Sequence, residues 1–271
     1  MPNCTHATAV NESFWSVLYG LPELILGLLL VMVIFAAHGA GQWARRHFSS
    51  FAETQRLDGF APAPPVVSSI LGLLTLLISF TFSMAVGGYD KRYDAVVDEA
   101  RAVYATDLAA RLVGTSADGF RSMLKQYVDL RLAAATTPDF QRTRELTKES
   151  TAMQRRLWNA ANFISAAAPG DQTSKLIAST QTMVEVGMRR VALRQPVVPI
   201  RVLFTVILFT IVSAFVLGYS YRGVTHRASA ALLLLLTLVV VLIIDIEKPS
   251  GGAIRESQQP MQDVHDRLYA A

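Results

Sequence analysis

The sequence predicts an all-α membrane protein with four transmembrane helices and an extramembrane helical bundle inserted between the second and the third. Three observations lead to this fold class. Of the 271 residues, 52% are hydrophobic and only 17% are charged, whereas about 25% of a typical soluble domain is charged. The apolar residues are concentrated in four runs. Between the second and third runs, apolar residues recur among polar ones with the period of a helix.

Each apolar run is long enough, or nearly so, to cross a bilayer, which takes roughly 20 apolar residues in a helix. The runs cover residues 14–37, 66–88, 197–217 and 228–244. They divide the chain into a polar N-terminal tail (1–13), a first helix pair (14–88), a helical domain (89–196), a second helix pair (197–244) and a polar C-terminal tail (245–271). Four crossings place both tails and the helical domain on one side of the membrane.

Local signals predict where the helices of the middle domain begin and end. Residues 89–112 contain no glycine or proline, so the second span is expected to continue unbroken out of the membrane as far as Gly114. Thr137 is the predicted N-cap of a later helix with Pro138 in its first turn. Asp171, which follows a Pro-Gly break, is expected to cap the next helix.

Charge and motif content exclude several function classes. A net charge of +4 is small and scattered, so no nucleic-acid partner is expected. The single cysteine, Cys4, forms neither an internal disulfide nor a thiolate metal cluster. The sequence has no phosphate-binding loop, nucleophile elbow or His–Glu metal helix, so we expect no enzyme activity, no cofactor and no metal. Basic residues flank the spans on both sides, with a slight excess that favours a cytoplasmic middle domain.

A stripe of small and polar residues runs along one face of the second span. Spacings of three and four residues place the whole stripe on one side of a helix. Such a stripe suits close helix packing, which we slightly favour, or the lining of a pore; oligomerisation through this span would satisfy both. The bulky row of Leu76, Phe80 and Met84 would suit a dewetting constriction or contact with lipid. The stripe comprises Ser68, Gly72, Thr75, Ser79, Ser83 and Gly87.

Charged residues cluster where the second and fourth spans emerge, and one lies at the start of the third. The favoured interpretation is a salt-bridge network that fixes the helices at the membrane edge. The alternative is a charged vestibule above a permeation path, because rings of charge select ions. This predicted charged rim comprises Asp90, Lys91, Arg92, Asp94, Arg201, Asp245, Glu247 and Lys248.

Glu23 is the only carboxylate deep within an apolar run. Pro22 precedes it, and a helix that begins there would hold Glu23 in its first turn, where the helix dipole favours a negative charge. We favour this interpretation over an intramembrane proton or ion site.

Three stretches stand out: "LLTLLISFTFSMAVGGYDKRYDAVVDEARAVYATDLAARL", "YVDLRLA" and "IDIEKPSGGAIRESQQPM". They resemble a family of bacterial membrane proteins called bestrophin-like. In the first, the matching residues are Tyr89, Asp90, Arg92, Glu99 and Ala100. In the last, they are Asp245, Pro249, Gly252, Ile254, Ser257, Gln258, Gln259 and Pro260.

The resemblance implies a function as well as a layout. Bestrophins proper are pentameric anion channels with four spans and a large cytosolic helical region. By analogy, we expect a homo-oligomer in the bacterial inner (cell) membrane that conducts inorganic anions through a neck formed by the second span, with Phe80 as a constriction. The alternative is a non-conducting membrane sensor or scaffold whose helical domain binds a partner.

Overall fold

The structure, a computed structural model, describes residues 23–54, 64–220, 225–248 and 254–270. These residues are helical almost throughout and contain no strand, which confirms the predicted all-α class. The helices are α1 (Glu23–Thr54), α2 (Pro64–Val113), a 3-10 turn (Gly114–Ala117), α3 (Asp118–Thr136), α4 (Phe140–Ala167), α5 (Asp171–Ala192), α6 (Ile200–Ser220), α7 (Thr225–Glu247) and α8 (Gln259–Ala270).

Four stretches of the described residues are long and apolar enough to cross a membrane, as predicted. They are Ile25–His47 in α1, a stretch of α2 that begins at Pro65, Ile200–Ser220 in α6 and Ala228–Glu247 in α7. Helix α1 continues to Thr54, well beyond the predicted end at residue 37. Arg45 and Arg46 therefore lie within a helix, where we expected a short connection. The part of the first predicted span before Glu23 lies outside the described residues.

Helix α2 is continuous over its 50 residues, as the absence of helix breakers after Tyr89 predicts. It ends immediately before Gly114, whose φ of +79° lies in the left-handed region. Glycine adopts this conformation without the steric penalty that a Cβ atom brings. The chain therefore leaves the helix at the predicted residue.

The two predicted helix caps are wrong by one or two residues. Helix α4 is capped by Asp139, whose carboxylate accepts a hydrogen bond of 2.9 Å from the backbone N–H two residues later. The Thr137 hydroxyl donates instead to the Ala133 carbonyl at 2.7 Å, which closes the preceding helix. Helix α5 is capped by Gly170, and Asp171 is its first residue.

The chain divides into two compact units. The span unit consists of residues 1–86 and 197–248, and the bundle unit consists of residues 87–196 and 249–271. Helix α2 contributes its first part to the span unit and its remainder to the bundle unit.

Helices α1 and α6 of the span unit approach each other closely, and both also contact α7. A Cβ atom at Gly41 would overlap the Phe215 carbonyl, and one at Gly218 would overlap the His38 carbonyl. Glycine at these two positions lets the backbones touch, as small residues do at membrane helix interfaces. The contact ends at Arg45, whose guanidinium donates to the last carbonyls of α6 at 2.8 Å.

The bundle unit packs α3 against α4 and α8, and α4 against α5, around an apolar core. Helix α8 forms in the segment that we expected to be a polar tail. Its buried residues Met261, Val264 and Leu268 join this core. Their spacing of three and four residues is a helical signal that the sequence analysis did not use.

Candidate functional site

The three stretches that resemble the bestrophin-like family meet in one buried polar network of the bundle unit. The first stretch supplies Glu99 on α2, and the second supplies Tyr127 and Arg131 on α3. The third supplies Gln258, just before α8. Arg190 on α5 links Gln258 to Glu99. The network therefore gives these stretches a common place in the fold.

Glu99 is at the centre of the network, and its side chain is completely buried. Its Oε2 atom accepts hydrogen bonds from Arg131 Nη2 at 2.9 Å and from Arg190 Nη1 at 2.6 Å. Its Oε1 atom accepts a hydrogen bond from the Tyr127 hydroxyl. A carboxylate so deeply buried is tolerated only because charged and polar partners surround it.

These partners decide the charge state of Glu99. Burial by itself raises the pKa of this carboxyl, because it disfavours the charged form. The positive charges of Arg131 and Arg190, with the hydrogen bonds from Arg131 and Tyr127, outweigh burial and lower the pKa to about 2. Burial and the adjacent Glu99 charge raise the pKa of Tyr127, which stays protonated and donates. Glu99 is therefore ionised at every physiological pH.

Gly187 on α5 makes room for the network. A Cβ atom there would lie 2.8 Å from the Tyr127 hydroxyl and 3.2 Å from Glu99 Oε1, and it would overlap Gln154 Nε2. Gln154 on α4 donates to the Tyr127 hydroxyl at 2.9 Å. Glycine at this position lets α5 lie against the polar cluster.

The segment before α8 is tied to two helices by polar contacts. Gln258 accepts a hydrogen bond of 2.7 Å from Arg190 Nη2 and donates to the Glu256 carbonyl at 3.0 Å. The Glu256 carboxylate forms an ion pair with Arg92 on α2. Residues more than 160 positions apart in the chain thus contact each other directly.

The remaining residues of the C-terminal motif shape the start of α8. The Ser257 hydroxyl accepts a hydrogen bond of 3.3 Å from the Gln259 N–H. Pro260 occupies the first turn, where helices tolerate proline. Pro249 and Gly252 lie outside the described residues.

The residues of the predicted charged rim belong to both units. In the bundle unit, Asp90, Lys91 and Asp94 are exposed, whereas Arg92 is buried and pairs with Glu256, which the prediction did not include. In the span unit, Arg201 is exposed.

The three rim residues at the end of α7 are buried in the span unit. They are Asp245, Glu247 and Lys248. Glu247 accepts hydrogen bonds from the backbone N–H groups of Val197 and Val198, at 2.9 and 3.2 Å. This carboxylate therefore holds the chain just before α6.

The stripe of the second span is exposed along α2 in the span unit. Ser68, Gly72, Thr75, Ser79 and Ser83 are all exposed, and a Cβ atom at Gly72 would meet no other atom within 4 Å. The last stripe residue, Gly87, lies in the bundle unit and is half-buried. Within the described part of the chain, the five stripe residues of the span unit therefore remain accessible to a neighbouring helix or to water.

One stripe hydroxyl is hydrogen-bonded within α2, and the bulky row beside the stripe is exposed. The Ser79 hydroxyl donates to the Thr75 carbonyl at 2.8 Å, so this polar group is satisfied within its own helix. In the adjoining row, Phe80 has 64% of its surface exposed, and Leu76 and Met84 are also exposed. The stripe and the row together form one open face.

The described part of the chain contains no group of three or more His, Cys, Asp or Glu side chains that could hold a metal ion. Helix α1 is described from Glu23 onward. The side chain of Glu23, and Pro22 before it, lie outside the described residues.

Sequence reasoning missed several network residues. Gln154, Gly187 and Arg190 were not singled out. A signal was present on α5, where Thr180, Met183, Gly187 and Arg190 recur every three or four residues and are all buried. This period places Arg190 on the core-facing side of the helix, where an arginine requires a buried acid.

The described helices define a class of protein: an all-helical membrane protein with four candidate spans and a helical bundle built around a carboxylate–arginine network. Comparison with solved structures then places it within this class. The chain has a bestrophin-like fold. It is similar to the crystal structure of a bacterial bestrophin homologue from Klebsiella pneumoniae that carries a mutation, with a TM-score of 0.63. The match covers 91% of this chain and 97% of that chain, at 13% sequence identity.

No protein-family model and no curated protein matches the sequence. At 13% identity the likeness is one of fold. This likeness confirms the resemblance to the bestrophin-like family at the level of the fold.

Proposed function

We propose that the chain assembles into a homo-oligomeric channel that conducts inorganic anions across the bacterial inner membrane. The observation that carries the proposal is the open face of α2, on which a polar stripe adjoins a row of bulky apolar residues. A face of small hydroxyl residues suits water or a close neighbouring helix, since neither requires a large apolar side chain. The bestrophin-like fold supports the same function.

Phe80 is the proposed constriction. It is the most exposed of the large hydrophobic residues on α2, and it lies beside Ser79 and Ser83. Copies of α2 arranged around an axis would place these phenyl groups in a ring, which gates a pore by excluding water. The hydroxyl groups on either side would line the wetted parts of the path.

We also propose that residues 89–196, with the segment around α8, lie outside the membrane between the two pairs of spans. The tails and this helical domain would share the cytoplasmic side. Exposed charged residues such as Lys91, Asp94 and Arg101 on the bundle unit favour an aqueous surrounding.

Anion flux from liposomes tests the proposal. We expect purified protein to release chloride, and Phe80→Ala to change the flux by at least several-fold because the constriction is removed. Phe204→Ala is the matched control, because Phe204 is the same residue type on another span and is 61% exposed. Equal flux from both variants would contradict the role of Phe80. Absence of chloride flux from the unchanged protein would favour the non-conducting sensor or scaffold.

A further inference from the structure

A small cavity in the bundle unit lies beside the Glu99 network. Its volume is about 30 Å³, enough for one or two water molecules or one monatomic ion. Three arginines, Arg92, Arg190 and Arg194, line it together with Glu256 and Gln258. Guanidinium N–H donors therefore dominate its polar wall.

The charges around this cavity do not balance among the described residues. Four guanidinium groups, on Arg92, Arg131, Arg190 and Arg194, face two carboxylates, on Glu99 and Glu256. The first three arginines are at most 5% exposed. Glu99 is shared between Arg131 and Arg190, and Glu256 is paired with Arg92. Two positive charges are thus in excess in a largely desolvated place, which is costly without a counterion.

Of the four arginines, Arg194 is the one that is not paired with Glu99 or Glu256 in these contacts. Within the described part of the chain, its guanidinium donates a hydrogen bond of 3.3 Å to the Thr147 hydroxyl. Burial, together with the nearby charges of Arg131 and Arg190, lowers the pKa of Arg194 to about 10. The group is still charged at neutral pH, and a negative charge beside it would relieve the repulsion.

We propose that this cavity binds one small inorganic anion, of the size of chloride, which neutralises excess positive charge at Arg190 and Arg194. Both ends of the Gln258 amide are already engaged, so the arginines supply the recognition. The volume is enough for a halide, and gluconate, a much bulkier anion, serves as the reference. The site lies inside the bundle unit of one chain, so it does not depend on the proposed channel.

Thermal unfolding of the full-length protein in detergent tests the site. Sodium gluconate is replaced by sodium chloride at constant ionic strength. At a chloride concentration about ten times Kd, we expect Tm to rise by roughly 3–6 °C. An unchanged Tm would mean that water fills the cavity and would overturn the proposal.

Two variants separate anion binding from a general effect of salt. Arg194→Gln removes an excess charge, so we expect it to unfold at the same temperature in chloride and in gluconate. Arg189→Gln is the control, because the Arg189 side chain is 60% exposed and pairs with Asp98. This variant should keep the full chloride shift. A chloride shift in Arg194→Gln equal to that of the unchanged protein would overturn the proposal.

Crystals grown in bromide provide a measurement that needs no variant. We expect an anomalous scattering peak within hydrogen-bonding distance of the Arg190 and Arg194 guanidinium groups. A cavity without such a peak at saturating bromide would overturn the proposal.

Discussion

The two parts of helix α2 carry polar residues in opposite ways. In the span unit, the stripe hydroxyl groups lie on an exposed face, and a Cβ atom at Gly72 would meet no other atom within 4 Å. In the bundle unit, Glu99 is fully buried and both its oxygens accept hydrogen bonds. One helix thus carries an exposed polar face in its first part and a buried, hydrogen-bonded carboxylate in its second. Substitutions in the bundle-unit part should destabilise the fold of a single chain. Substitutions in the span-unit part should alter the contacts of that chain with its surroundings.

The strongest test of this contrast is Glu99→Gln. The change leaves Arg131 and Arg190 buried without a negative partner, which costs roughly 3–5 kcal/mol of unfolding free energy. Thermal or denaturant unfolding of the solubilised protein measures the loss. Glu145→Gln is the control, because Glu145 forms an exposed pair with Arg142 at 3.1 Å and should contribute less than about 1 kcal/mol. Similar losses of unfolding free energy for both variants would show that the buried network stabilises the protein no more than the exposed pair does.

Acid should weaken the bundle unit through the same carboxylate. The folded-state pKa of Glu99 is lowered to about 2 from the ordinary value of 4.5. Its contribution is therefore present above pH 4.5 and is lost as the pH falls towards 2, by roughly 3 kcal/mol in total. Unfolding measured from pH 7 to pH 3 should show the difference between the unchanged protein and Glu99→Gln shrinking as the pH falls. A difference that stays constant would contradict the assigned pKa.

Gly187→Ala should cost roughly 1–3 kcal/mol, because the added methyl group overlaps Gln154 and presses on the Tyr127 hydroxyl. Unfolding of the solubilised protein provides the measurement. The matched control is Gly119→Ala on α3, where a Cβ atom meets no other atom within 4 Å. We expect that control to be neutral or slightly stabilising, because alanine favours helix. Equal destabilisation at both positions would argue against close packing at Gly187.

The smallest effect on unfolding is expected on the open face of α2. Gly72→Ala meets nothing within the chain, so its unfolding free energy should stay within about 1 kcal/mol of the unchanged protein. Its oligomeric mass and its anion flux are the informative readouts. A change in either would place a second chain or the conduction path at this face. A loss of stability as large as that of Gly187→Ala would contradict the assignment of Gly72 to an exposed face of α2.

Much of the fold followed from local patterns, whereas the site depended on contacts that are distant in sequence. Run lengths gave the four spans, and the absence of helix breakers after Tyr89 gave the continuous α2. The network required knowing that Arg190 contacts both Glu99 and Gln258, and no local spacing encodes contacts across 91 and 68 positions. The caps were missed for a related reason. At the start of α4, Thr137 and Asp139 are both good cap residues, and Thr137 instead closes the preceding helix by donating to the Ala133 carbonyl.

The contact of Glu256 with Arg92 also sets an order of events during synthesis. Arg92 leaves the ribosome long before Glu256, and the sequences of α6 and α7 come between them. The bundle unit can therefore form this ion pair only after two more apolar helices have been synthesised. A chain cut short before residue 254 lacks Glu256, so we expect it to differ from the finished molecule in the charge around Arg92.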